Sequence, residues 1–147
     1  MSESIAPVLS SIVAGPLGVK HLPRLWLKIL LHACGRLPEG YRHGAGGFDE
    51  DLTTTLGIDR DAFVTYIETE KPDYLTLEAW VRANATSLTP EAIAKVNDRV
   101  INTDLPEEMR AGRAVRLSFD DPAYRKAYAL NELDDWLAMH EALTRKT

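Results

Sequence analysis

The chain predicts an all-α fold on three observations. Apolar residues recur at helical spacing in one segment after another, and Gly, Pro and capping residues punctuate those segments at short intervals. One segment, residues 22–35, is apolar over most of its circumference, so other helices must cover it. The expectation is a compact bundle of about six or seven short helices around that buried helix. With 147 residues, 45% hydrophobic and 27% charged, the chain suits a single globular domain spanning 1–147.

Taken in order, residues 5–19 contain Pro7, Gly15, Pro16 and Gly18, which make an irregular apolar arm with one short helix around Val8–Ala14. The buried helix follows, with Pro23 in its first turn and Gly35 as its stop. Leu37-Pro38-Glu39-Gly40 forms a turn, and residues 41–47 form a glycine-rich loop. Asp49, Glu50 and Asp51 open a short helix at the positive end of its dipole, and Gly57 closes it. Asp59 caps the next helix, which turns Phe63 and Ile67 inward, with Tyr66 beside them. Lys71-Pro72-Asp73 breaks the chain before a helix with Leu77, Trp80, Val81 and Asn84 on one face. Thr89-Pro90-Glu91 starts another, striped by Ile93, Val96, Val100 and Ile101. Beyond Asn102 the pattern weakens. Residues 106–111 give one or two helical turns ending at Gly112, and residues 113–119 alternate as an extended segment. A C-terminal helical region begins at Asp121-Pro122 and reaches about Leu143, with Asn131 able to divide it.

The charge is unevenly spread. The net charge is −5, which argues against nucleic acid as a partner, yet the first 47 residues hold Lys20, Arg24, Lys28, Arg36 and Arg42 against only Glu3 and Glu39. Arg24, Lys28, His32 and Arg36 recur at intervals of four, hence along one stripe of the oily helix. That stripe must meet carboxylates from the acidic remainder of the chain, or a ligand. No apolar run approaches the roughly 20 residues that cross a bilayer, the Met1-Ser2-Glu3-Ser4 start lacks a positive leader region, and there is one cysteine. These features point to the cytoplasm, away from membranes.

Several segments carry the marks of a known family. They are Gly18-Val19-Lys20-His21-Leu22-Pro23-Arg24 with Lys28, Gly35-Arg36-Leu37-Pro38 with Tyr41, and Gly47-Phe48-Asp49. Further along come Leu56-Gly57-Ile58-Asp59 with Phe63, Ala79-Trp80-Val81, and Ile93 with Asn97. Over residues 15–102 this order resembles a bacterial family catalogued only as a domain of unknown function (number 5069). The resemblance implies a fold and no chemistry. It leaves residues 103–147 as an extension that packs on the core or forms a homodimer contact.

Candidate sites are few. The loop His43-Gly44-Ala45-Gly46-Gly47 precedes a helix, but no Lys-Ser/Thr pair follows, and acidic residues hold the helix start where a phosphate would dock. A metal set could be drawn from His32, His43, Asp49 and Asp51, although no spacing fixes two ligands on one turn. There is no G-x-S-x-G elbow, and Cys34 diverges from His32 by about 200° around the helix, so Cys34 reads as a core residue. Trp26, Trp80 and Trp136, with Tyr66, Tyr124 and Tyr128, read as core anchors, and His140 as a boundary residue. Arg110, Arg113 and Arg116 read as solvated or paired with Glu107 and Glu108. The favoured expectation is a non-catalytic binding or interaction module. Its ligand would be a small anion or an acidic protein segment held by Arg24, Lys28, His32, Arg36, Tyr41 and His43. The alternative is a small metal- or histidine-dependent enzyme.

Overall fold

The computed structural model describes residues 3–145, so the Met1-Ser2 start lies outside it. Among the described residues seven helices follow the arm: α1 (Leu22–Ala33), α2 (Gly47–Thr55), α3 (Arg60–Glu70), α4 (Tyr74–Asn84), α5 (Pro90–Asn102), α6 (Glu107–Leu117) and α7 (Ala127–Thr144). The only β pairing among the described residues is two isolated bridges, Ala14 with Lys20 and Asp104 with Lys126. No described helix is long and apolar enough to cross a membrane.

The caps work as the residue types require. Asp59, Asp73 and Thr89 each accept a hydrogen bond from the backbone N–H three residues on, starting α3, α4 and α5. Pro23 lies in the first turn of α1, and Gly35 beyond its end takes a positive φ of 69° that β-carbon-bearing residues resist. Leu22, Leu25 and Ile29 of α1 are fully enclosed in a cluster with Leu52 of α2 and Leu56 at its C-terminal cap, Phe63 and Ile67 of α3, Leu77 and Val81 of α4, and Val96 and Val100 of α5. α1 packs on α3 and α4, while α2 bridges α3 and α5. The arm is tied down by polar side chains. The buried Glu78 carboxylate accepts the Leu17 N–H, and Asn97 accepts from the Lys20 N–H while donating to the Gly18 carbonyl at 2.9 Å.

Five local expectations need correction. No helix forms at Val8–Ala14; the arm is irregular throughout. Cys34 is exposed, because α1 ends at Ala33 and leaves it in the cap. Residues 113–117 are helical, continuing α6 through Gly112. The alternation there coincides with a three-residue spacing of Arg110, Arg113 and Arg116, and that spacing decides the outcome, because these side chains bond along one face to Asp120, Asn131 and Asp134. α7 starts at Ala127, later than Asp121-Pro122, and is continuous past Asn131. Trp136 is 61% exposed: Asp135 turns into the protein, and the next residue lies about 100° around the helix.

Candidate functional site

The cationic stripe of α1 is the start of a cleft of about 760 Å³ that combines charged and apolar lining. His21, Arg24, Lys28 and Asp49 form its floor, and the loop at Tyr41, Arg42, Gly46 and Gly47 one side. α6 and α7 supply the opposite wall through Met109, Arg113, Asn131 and Asp134.

Two carboxylates answer the stripe. The buried Asp49 of α2 takes Lys28 Nζ on both oxygens at 2.8 and 2.9 Å, His21 Nε2 on Oδ1 at 2.7 Å, and the Gly44 N–H on Oδ2 at 3.0 Å. Burial alone would push the Asp49 carboxyl up, but the His21 hydrogen bond and the Lys28 charge hold it well below the usual carboxylate range. Burial lowers the Lys28 ammonium, opposed by Asp49. Asp135 of α7 takes both terminal nitrogens of Arg24, a forked pair, and the Tyr41 hydroxyl on Oδ1 at 2.8 Å. Burial and the Asp135 charge push the Tyr41 phenol up, so it stays a donor.

His21 links this floor to the arm. Its Nδ1 lies 2.9 Å from Ser11 Oγ. Burial lowers its basicity despite Asp49, so the ring is neutral. With Asp49 ionised, the proton sits on Nε2, and Ser11 Oγ–H donates to Nδ1. The line Ser11–His21–Asp49 has the residue types of a hydrolytic triad. It lacks an attackable nucleophile, because Ser11 is 1% exposed and outside the cleft lining. His21 also stands in a left-handed conformation, φ 74°, that costs a non-glycine residue about 1 kcal/mol or more. Its two ring hydrogen bonds and the Asn97 clamp on the preceding loop hold it there.

Of the six residues expected from sequence, three meet in the cleft: Arg24, Lys28 and Tyr41. His32 and His43 are exposed and stack on each other with ring centroids 3.7 Å apart, outside the lining. Arg36 lies past the end of α1, where its Nε donates to the Glu3 carbonyl at 3.0 Å. Among the described residues no group of three or more His, Cys, Asp or Glu is arranged to hold a metal, so His32, His43, Asp49 and Asp51 do not converge. Asp135, Ser11 and the cleft's Arg42 were not singled out by sequence reasoning. Nothing in local spacing marks Asp135, which stands 111 residues from Arg24.

The fold and cleft define a small all-α domain whose central helix carries buried ion pairs at the floor of a cleft. The chain belongs to the family described as a domain of unknown function (DUF5069), whose sequence profile matches residues 10–137. The match reaches beyond the expected 15–102 at both ends, so it takes in Ser11, all of α6, and α7 as far as Asp135 and Trp136. The whole hydrogen-bonded floor therefore lies within the family segment. No curated protein matches the chain.

Proposed function

We propose that this protein is a non-catalytic binding module of the bacterial cytoplasm, and that its cleft takes a small anion or an acidic segment of a partner protein. The observation that carries the reading is the charge balance of the lining. Arg24 and Lys28 are matched by Asp135 and Asp49, and the lining's Asp51 and Asp134 by Arg99 and Arg116; among the described residues this leaves Arg42 and Arg113 without a carboxylate partner against the single unpaired carboxylate of Glu39. Arg113 is held in place by Asn131 Oδ1 at 2.9 Å, and Arg42 lies across the backbone of Gly46 and Gly47. A guanidinium binds carboxylate or phosphate through two parallel N–H donors, and two of them on one cavity attract an anion into it. The burial of Ser11 favours binding over acyl-transfer chemistry. The single cysteine favours a reducing compartment.

The test is a thermal-shift titration with sodium phosphate and sodium succinate at constant ionic strength. Binding to the folded state raises the midpoint with ln(1 + [L]/Kd), and the Arg42→Ala/Arg113→Ala double variant loses that rise. A wild-type midpoint unmoved by either anion sinks the reading. A second copy of the chain is the other partner to test. Val115, Trp136 and Leu143 on α6 and α7 are 83%, 61% and 78% exposed, and an isologous contact would cover them. Sedimentation equilibrium over a hundredfold concentration range decides that point.

A further inference from the structure

We infer that the corner formed by Arg24 and Tyr41 is a carboxylate-binding seat, filled in this structure by Asp135, and that an acidic ligand entering it releases the α6–α7 hairpin as a lid. This rests on the anion-binding reading above and narrows its ligand to a carboxylate.

The Arg24 half of the seat is held independently of its occupant. Arg24 Nη1 also donates to the carbonyls of Pro7 and Leu9 at 3.1 and 2.9 Å, so the arm fixes the guanidinium whether or not Asp135 is present. The Tyr41 ring lies 6.0 Å from the Arg24 guanidinium carbon and brings a third donor to the same carboxylate. A planar fork plus one hydroxyl matches a carboxylate group, and a preorganised site binds without the cost of ordering its donors. Both residues line the cleft, so a ligand already in the cavity reaches the seat.

The occupant belongs to a helix pair that lies outside the main hydrophobic cluster, although it buries Ala114, Ala127 and Leu130 of its own. Neither α6 nor α7 contributes a residue to the hydrophobic core cluster or to the apolar side chains packed on it. The two helices are tied to each other by Arg113–Asn131, Arg116–Asp134 and Arg116–Glu141. At its base the hairpin joins the rest through a two-stranded clasp, with the Leu105 N–H on the Arg125 carbonyl and the Ala127 N–H on the Thr103 carbonyl, both 2.9 Å. A self-tied pair of helices, clasped and packed on α5 at its base through the buried Ala127 and Leu130 and latched farther along α7 by the Asp135 carboxylate, opens as a unit when that latch is released.

Amide hydrogen exchange on the full chain tests this without any ligand. Asp135→Ala is expected to speed exchange across α6 and α7 by about tenfold or more while α1–α5 keep their wild-type rates. Succinate is expected to bind this variant about tenfold tighter than wild type, because the internal competitor is gone. Tyr41→Phe should weaken succinate in the Asp135→Ala background. Exchange that accelerates in all seven helices together makes the hairpin part of one cooperative unit and overturns the lid. Succinate binding no tighter than wild type, or phosphate preferred over succinate, overturns the seat. Should Asp135→Ala fail to fold, Asp135→Asn removes the charge at nearly constant shape and is judged by the same comparisons. The two readings separate cleanly. Anion binding that is lost in Arg42→Ala/Arg113→Ala but not tightened at Asp135 keeps the anion cleft and removes the seat. No anion binding in any form removes both.

Discussion

Among the cleft residues, burial separates cations that hold the fold from cations free to hold something else. Lys28 and Arg24 are each about 95% enclosed and matched by a carboxylate. Such a pair adds little net stability over a well-packed apolar pair, but removing one partner strands the other in a medium that solvates it poorly. Asp49→Ala is therefore expected to cost about 3–5 kcal/mol, since it strands the Lys28 ammonium and the His21 and Gly44 N–H groups together. Urea unfolding measures it. A loss under about 1 kcal/mol means that water reaches the site and the floor is not a closed network. Arg42→Ala, by contrast, removes an exposed side chain with no ionic partner among the described residues and should leave the urea midpoint unchanged within error. The same two measurements thus sort structural from available charge.

At the scale of elements, local chemistry set most helix ends, and a cap can be removed singly. Thr89→Ala takes away the acceptor of the Ala92 N–H at the start of α5 and is expected to cost about 1 kcal/mol by urea unfolding. Gly15→Ala probes the arm instead. A β-carbon there would collide with the Tyr74 ring and lie 2.7 Å from Glu78 Oε2, so either the arm lifts from α4 or the Tyr74–Glu78 pair that holds it is displaced, at about 1–3 kcal/mol. An unchanged midpoint for Gly15→Ala would show that one or the other shifts freely. These cases also mark what the sequence made legible. Caps and breakers act within three or four residues, so Asp59, Asp73, Thr89 and Gly35 could be read directly. The second half of α6 is not legible in the sequence, because a short window of alternating residues fits two periods and the partners that choose between them lie on α7. The exposure of Trp136 is illegible for the same reason: the inward face of α7 is set by Asp135 reaching Arg24, which no property of the helix alone reveals. The candidate site divides likewise. The stripe of Arg24 and Lys28 follows from helical spacing, whereas its counterions, 111 and 21 residues away, follow only from the packed fold.

For the molecule as a whole, the buried floor couples folding to pH, and the sign follows from two groups. His21 binds its proton less readily in the folded protein than in the unfolded chain, where its pKa is near 6.5. As pH falls through that value the unfolded chain takes up a proton that the folded protein refuses, so stability falls, by at most about 1.4 kcal/mol per pH unit. Asp49 has its folded pKa depressed below the unfolded 3.8, so its contribution is complete above that value and is lost as the pH drops further. Both groups act in one direction, and stability should begin to decline as the pH falls from about 7 through the unfolded His21 value and decline further below about pH 4. Asn at position 21 tolerates the left-handed backbone and keeps an amide donor without a titrating ring. In His21→Asn the decline that begins near pH 7 should vanish while the loss below pH 4 remains, with the exposed His32, His43 and His140 unaltered. Urea midpoints from pH 8 to 3 on both proteins decide it. Equal slopes in the upper window would show that His21 takes up a proton inside the fold as readily as in the unfolded chain, and would remove it as the source of the pH dependence.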